Sequence, residues 1–279
     1  MLGVVRKLFG RSGVVVMKNS AVDSAEIEAP AGDFALVDAC LSGWFNTETG
    51  ELLRGFPIRP EDTVLDVGCG EGPFTHFCAK MKAEVIFADI NPERVSAVER
   101  LLKDSPARAL HPLVTDGNPL PLPDAHVDKL IAMEVLEHVD VPADFMKELV
   151  RVGKPGALYL ITVPDAASEG VQKQLAPAAH FMKPNHINVF SRSDFERLVV
   201  DAGLVIEQRA YYGFYWAVWW AFFWICKRDL AAPDHPLLNN WARTWAALLK
   251  EPGGAQVKQA LDHVMPKSQA IIARKPFEL

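Results

Sequence analysis

Val64-Leu-Asp-Val-Gly-Cys-Gly-Glu-Gly72 is the stretch on which the fold turns. Thr63 to Val67 is a short, mostly β-branched run, the pattern of a buried strand. Glycines at 68, 70 and 72 then permit the left-handed backbone of a tight turn. Pro73 follows at an early helical position, where its missing N–H is harmless, and predicts a helix over Pro73–Met81. The unit repeats outward along the chain. Strands are predicted at Glu84–Ala88, Ala109–Thr115, Lys129–Met133 and Ala157–Thr162, and helices at Pro92–Lys103 and Ala143–Val152. Strands alternating with helices imply a parallel sheet covered on both faces. A helix at Ser193–Ala202 and a strand at Leu204–Arg209 continue the rhythm, and a last strand stands at Ala270–Arg274. About sixty residues of helical or apolar character lie between those two strands.

The expected organisation is therefore a flexible N-terminal arm (1–32), an α/β core (33–210), a helical insertion (211–266), and a final strand with the C-terminus (267–279). Within 33–210, the pattern from Asp33 to Trp44 predicts a short helix. The fold class is a doubly wound, mostly parallel seven-stranded sheet with a helical, aromatic-rich insertion before the last strand.

Composition narrows the function. The 279 residues are 49% hydrophobic and 23% charged, which excludes a disordered chain, a collagen and a disulfide scaffold. A net charge of −6 argues against nucleic acid as a partner, because binding a polyanion leans on clustered Lys and Arg. Cys40, Cys69, Cys78 and Cys226 are scattered with no C-x-x-C pair, so neither a disulfide framework nor a metal site is expected. That pattern suits a reducing, cytoplasmic setting. Arg6, Lys7, Arg11 and Lys18 interrupt the apolar residues of the N-terminus. The stretch does not read as a secretory signal; it reads as a frayed terminus or as a basic arm touching a membrane surface.

The glycine turn differs in one respect from a dinucleotide-binding loop. The latter has G-x-G-x-x-G and cradles a pyrophosphate on backbone N–H groups. Here the spacing is G-x-G-x-G, and Asp66 precedes it. A carboxylate there suits a positively charged ligand better than a phosphate. Asp89 stands just after the second strand, placed to accept hydrogen bonds from two ribose hydroxyls, and Asp116-Gly117 follows the third, placed for an adenine amino group. Three acids at three strand ends describe a pocket for a cationic adenosine compound, and S-adenosylmethionine is the common molecule that fits. Cys69 reads as a small residue supplying a backbone N–H, not as a nucleophile.

In these motifs the sequence resembles the class I S-adenosylmethionine-dependent methyltransferases. Val64 to Gly72 is similar to the family's first motif, with Gly68, Cys69, Gly70 and Gly72 at the cofactor. Phe87-Ala-Asp-Ile-Asn-Pro92, holding Asp89 and Ile90, resembles the ribose segment, and Asp116-Gly117 the adenine side. Asn118-Pro-Leu-Pro-Leu-Pro-Asp124 resembles the family's approach to the fourth strand. Ile131-Ala-Met-Glu-Val-Leu-Glu-His-Val139, with Glu134, resembles the segment lining the methionine end, and Lys154-Pro-Gly156 is also typical. The resemblance spans roughly residues 60–210. It implies S-adenosyl-L-methionine as cofactor and methyl transfer to a small, apolar or aromatic molecule. A cofactor-binding partner subunit without turnover, or a nicotinamide-dependent oxidoreductase, are the alternatives.

Transfer to an oxygen or carbon of high pKa needs a general base. His138, after the fourth strand, is the first candidate; it reads equally as a helix-start histidine satisfied by backbone. His180 and His186 lie in His180-Phe-Met-Lys-Pro-Asn-His186, where the family builds its acceptor site. Glu134 and Glu137 are expected to shape the pocket, whereas His76, His111, His126, His235 and His263 read as surface residues.

Of 26 aromatic residues, ten fall between Tyr211 and Trp224. Ala210 to Cys226 is 17 residues without a formal charge, at the lower limit for a membrane-spanning helix. Strands before and after it belong to one sheet, which a single crossing would separate. Three readings stand: packing for the inserted helices, a wall for an apolar acceptor, or peripheral membrane contact through 211–226. Leu237–Lys250, with Trp241 and Trp245, is the expected packing partner.

Overall fold

The computed structural model describes residues 34–277, so the N-terminal arm expected over 1–32 lies outside the described residues. Helix α1 (Phe34–Leu41) stops short of Trp44. Gly43, at φ +94°, takes a left-handed turn that ends it, and Trp44 instead begins a small antiparallel meander. The meander comprises β1 (Trp44–Asn46), β2 (Glu51–Leu53) and β3 (Phe56–Pro57).

The regular core follows. It runs β4 (Thr63–Val67), α2 (Pro73–Lys80), β5 (Glu84–Asp89), α3 (Pro92–Leu102), β6 (Ala109–Val114), β7 (Val127–Met133), α4 (Pro142–Val152) and β8 (Gly153–Pro164). Then come α5 (Ala166–Leu175), a 3₁₀ turn (Ala178–Phe181), α6 (Arg192–Asp201) and β9 (Val205–Tyr212). The inserted helices α7 (Phe214–Cys226), α8 (Pro236–Leu248) and α9 (Gly254–Val264) precede β10 (Ser268–Arg274). Helix α5 has no counterpart in the periodicity reading above. Its buried face carries Ser168, Glu169 and Gln172 in place of hydrophobic residues, so it leaves no apolar stripe.

The seven core strands form one sheet in the order β6-β5-β4-β7-β8-β10-β9. Pairing is parallel throughout except at β10, which runs antiparallel to both neighbours. Alternation builds two cores. Along β8, Tyr159, Ile161 and Val163 join Phe145, Met146 and Leu149 of α4 and Phe195 and Val199 of α6. On the other face Leu158 and Leu160 join Phe77 of α2, Val95 and Val98 of α3, and the meander.

The insertion makes a third core. Tyr215, Trp219, Trp220 and Phe223 of α7 are buried with Leu238 and Trp245 of α8 and Phe34 of α1. Tyr215 and Trp241 stack with ring centroids 5.8 Å apart and planes 6° from parallel. Aromatic density in α7 is thus explained by packing, with Trp241 and Trp245 on the partner helix as expected. Strands β9 and β10, which flank the insertion, are neighbours in register (Ser268 opposite Tyr212). No described helix is long and apolar enough to cross a membrane. At 13 residues, α7 spans about 20 Å against a hydrocarbon core of about 30 Å.

Candidate active site

Parallel strands present all their carboxyl ends on one edge. Residues 68, 89, 116, 134 and 164 therefore gather there. Because β10 is reversed, it contributes its amino end: Ser268 lies opposite both Pro164 and Tyr212. The chain runs outward from β4 through β5 to β6, then returns to place β7 on the other side of β4. That switch between β4 and β7 is where open α/β sheets bind ligands. Gly68 sits in the gap, at φ +74°; a Cβ there would stand 2.5 Å from Val135 Cγ2.

The turn's N–H groups are directed into the protein. Gly68 and Cys69 both donate to the Ala88 carbonyl (2.8 and 2.9 Å), and Gly72 donates to Cys69 O (2.9 Å). Gly70 donates to Asp89 Oδ2 at 3.0 Å. A pyrophosphate cradle needs such groups pointing outward. With four of them satisfied internally beside two carboxylates, the turn is a poor phosphate site, which disfavours the nicotinamide alternative. The Cys69 thiol is buried, and burial first, then Asp66 and Asp89, push its pKa upward, so it is no nucleophile.

Asp89, only 5% exposed, holds the turn to the end of β5. Its Oδ1 accepts from Asn91 N at 2.9 Å while Oδ2 takes Gly70. A carboxylate has about four lone-pair sites, so each oxygen retains one for a ligand hydroxyl. Next to it Ile90 is 71% exposed, an apolar surface at the ligand edge. Asp116 is exposed and bonds Asn118 N at 3.1 Å, and Gly117, at φ +79°, packs against the Phe145 ring, which a Cβ would meet at 2.7 Å.

Asp66 lies deeper. It is 1% exposed and accepts from Thr75 Oγ1 at 2.5 Å, which ties the strand to the first turn of α2. Its Oδ1 has no hydrogen-bond partner among the described residues. Burial raises its pKa from 3.8 to about 6, against the Thr75 hydrogen bond and with Asp89 adding to the rise. The folded state thus holds the Asp66 proton more tightly than the unfolded chain does. Stability from that difference is full below pH 3.8 and lost as pH rises through about 6. Wild type is expected to lose about 2 kcal/mol relative to Asp66→Asn between pH 4.5 and 7.5. Urea unfolding of both proteins at the two pH values measures this; a constant difference would contradict the raised pKa.

Comparison with known proteins places this geometry. A family model described as a methyltransferase domain matches residues 47–209. The chain belongs to the class I S-adenosylmethionine-dependent methyltransferases. A Mycolicibacterium smegmatis protein named "probable S-adenosylmethionine-dependent methyltransferase" is 30% identical over 148 residues, covering 52% of each chain. Ajmaline N-methyltransferase of Rauvolfia serpentina is 29% identical over 145 residues, covering 49% of this chain and 47% of that one. The chain spans about half the length of these relatives. Among solved structures, geranyl diphosphate methyltransferase in complex with S-adenosylmethionine shares the fold, with a TM-score of 0.56 over 90% of this chain and 93% of that one at 14% identity.

The residues present fit the methyltransferase cofactor: a carboxylate with free lone pairs at the end of β5, an exposed isoleucine beside it, and a turn unsuited to phosphate. At the end of β7 the arrangement is more elaborate. Glu134 adopts φ +56°, an uncommon conformation for a side-chain-bearing residue, at the end of β7. Its carboxylate is held by Lys267 Nζ, at the start of β10, and by Thr162 Oγ1 at 3.2 Å. Burial works to lower the Lys267 pKa, but Glu134, reinforced by Glu137 and Glu169, outweighs it and the pKa is raised, so Lys267 stays charged. Tyr212 belongs to the same network, its hydroxyl pKa raised by burial and by Glu134.

Beyond Glu134 the three candidate histidines converge. His138 and His186 have ring centroids 5.1 Å apart, and His180 and His186 4.6 Å apart. His138 Nδ1 faces the carbonyls of Pro184 (3.2 Å) and Asn185 (3.1 Å). Carbonyls only accept, so Nδ1 carries the proton and Nε2 is left with a free lone pair. His186 is buried, and its Nδ1 donates to Glu169 Oε2 at 3.0 Å. Glu169 Oε1 accepts from Gln172 Nε2 (3.3 Å), and Gln172 Oε1 from Trp224 Nε1 of the aromatic helix (3.1 Å). His180 lies 4.9 Å from the Trp224 ring. Burial and the neighbouring His186 lower the pKa of His138, and lower that of His180 to about 4, so both imidazoles are neutral near pH 7. Glu137 is wholly buried, and burial, reinforced by Glu134, raises its pKa well above the usual range.

Glu169, Gln172 and Lys267 are the residues that sequence reading does not assign to the site, and Trp224 enters it only as part of the aromatic stretch 211–226. Asp165, which caps α5 by accepting from Ala167 N at 2.8 Å, is the signal that could have located the first two. The other five histidines stay apart: His111 pairs with Glu84, His235 caps α8, and His263 packs on Tyr211.

Proposed function

We propose that the protein transfers the methyl group of S-adenosylmethionine to a small, apolar or aromatic molecule lying between the strand-end carboxylates and the histidine cluster. The observation that carries this reading is the convergence of His138, His180 and His186 with Trp224 at the edge that also holds Asp89 and Asp116. The relative named for ajmaline N-methylation supports a small acceptor. When bound, the cofactor supplies a methyl group on a sulfonium, already a good leaving group.

The chain's own residues have positioning work to do. Asp89 and Asp116 fix the nucleoside, and the Glu134–Lys267 pair fixes the wall next to the methionine end. An acceptor atom must stand about 3–3.5 Å from the methyl carbon with water excluded. Trp224 and the α7 face behind it provide an apolar boundary for that exclusion. Neutral His138, oriented through Nδ1 by two carbonyls, offers Nε2 to take the acceptor's proton.

Labelled methyl transfer from S-adenosylmethionine to a panel of phenols, quinones, lipids and amines tests the reading. On a substrate found in that panel, His138→Ala is expected to lower turnover about 100-fold or more, the usual contribution of a general base, with cofactor affinity within about twofold of wild type. Unchanged turnover would remove His138 from the chemistry. Cofactor binding with no transfer to any compound class would favour the partner-subunit alternative.

A further inference from the structure

We infer that His138, His186 and Glu137 form a binding site for a divalent transition metal of the zinc type, with Glu169 as the partner that orients His186. No cysteine or short-spacing motif takes part, so sequence reading assigns no metal. The ligands arrive from two segments, residues 137–138 after β7 and residue 186 before α6.

Three observations carry the inference. First, one donor atom from each of Glu137, His138 and His186 lies within 4.8 Å of the others. Glu137 Oε1 and His138 Nε2 are 3.8 Å apart. Ligand atoms of a tetrahedral zinc with bonds of about 2.0–2.1 Å are separated by about 3.3 Å, so the donors need approach one another by at most about 1.5 Å to close the site. Second, both imidazoles are oriented as metal ligands are. Each has its Nδ1–H committed to an oxygen acceptor, the Pro184 and Asn185 carbonyls for His138 and the Glu169 carboxylate for His186, which leaves both Nε2 lone pairs available. Metal-bound histidines show this carboxylate or carbonyl behind the ring. Third, Glu137 is 0% exposed, and neither of its carboxylate oxygens has a hydrogen-bond partner among the described residues. A buried carboxyl without partners is costly, and a cation among the two imidazoles removes that cost.

The donor set selects the ion. Two imidazoles and one carboxylate suit Zn²⁺, Co²⁺ or Fe²⁺, whereas Mg²⁺ and Ca²⁺ prefer all-oxygen shells. Three protein ligands leave an open position. The inference concerns the metal alone and does not rest on the methyl-transfer reading; a metal on His138 Nε2 occupies the lone pair that would otherwise take the acceptor's proton, so the two roles of His138 are alternatives and not simultaneous. His180, with Glu169 and His186, forms a second grouping with donor atoms within 4.8 Å of one another. It is assigned a flanking position because Glu169 is already bonded to both His186 and Gln172.

The test uses the full chain freed of metal by chelation and titrated with Co²⁺, whose ligand-field absorption reports coordination directly. One equivalent is expected to bind, to be displaced by Zn²⁺, and to be unaffected by millimolar Mg²⁺. His138→Ala and His186→Ala should each weaken Co²⁺ binding at least tenfold, and Glu169→Gln, which removes the charge of the orienting partner, about 10–100-fold. Glu137→Gln, nearly isosteric, should weaken binding while thermal unfolding shows an intact fold. Absence of a saturable Co²⁺ spectrum in wild type overturns the site. Binding indifferent to His138→Ala and Glu137→Gln but lost in His180→Ala also overturns it, moving the centre to Glu169, His180 and His186.

Discussion

Asp89→Ala is expected to lower affinity for S-adenosylmethionine by about 100-fold or more, about 2.8 kcal/mol. In the proposed site the carboxylate accepts two hydrogen bonds from ribose, and bonds to a charged acceptor contribute about 1.5–3 kcal/mol each. Its second contribution is indirect. Gly70 N and Asn91 N both donate to this carboxylate, so alanine also releases the glycine turn from the end of β5. The fold should survive, because the strand and both flanking helices keep their apolar contacts. Asp89→Asn, which retains one acceptor oxygen, is expected to fall between wild type and alanine. Isothermal titration measures all three; unchanged affinity in the alanine variant would remove Asp89 from the cofactor site.

Trp245→Ala is expected to be the most destabilising single change outside the central sheet, by about 3–5 kcal/mol. Trp245 is 1% exposed and lies against Phe214, Tyr215 and Trp241, with ring centroids 5.5–6.2 Å away. Its Nε1 donates to Asp38 Oδ1 at 2.7 Å. Asp38 is buried beside Lys258, which also bonds Asp262 at 2.5 Å. Asp262 in turn accepts from Phe214 N, at the start of α7. Removing the indole therefore opens a large cavity and strips a donor from a carboxylate whose pKa burial has already raised to about 6. Trp245→Phe keeps most of the volume and should cost about 1–3 kcal/mol, the range for an orphaned buried acceptor. Urea unfolding separates the two effects. A loss under about 1 kcal/mol in the alanine variant would show that the aromatic helices are not a load on the protein's core, and would return the membrane-interface reading to contention.

Local signals carried most of the α/β core. A strand over Lys129–Met133 and a helix over Ala143–Val152 are legible because their apolar periods differ and Pro142 and Gly153 mark the helix ends; the structure extends them to Val127–Met133 and Pro142–Val152. Asp89 and Asp116 were legible as site candidates because a parallel sheet puts every such residue on one edge. Helix α5 was not, since its buried face is Ser168, Glu169 and Gln172, polar residues whose partners lie on other segments. The pattern from Asp33 to Trp44 predicts a first helix that the structure ends three residues earlier, at Leu41, because Trp44 is as compatible with a strand as with a helix face.

The sequence by itself determined the alternation of strands and helices from β4 to β8, the glycine turn and the acids beside it, because those depend on spacing and on the backbone freedom of individual residues. Tertiary structure decided where the turn's N–H groups point, since Ala88 and Asp89 reach them only through the pairing of β4 with β5. It decided that the aromatic stripe of α7 faces α8 and α1. It also gathered His138, His180 and His186 with Glu137 and Glu169: contacts between segments 11 to 49 residues apart form only when the strand ends and α5 have been set side by side, and no local pattern encodes that distance.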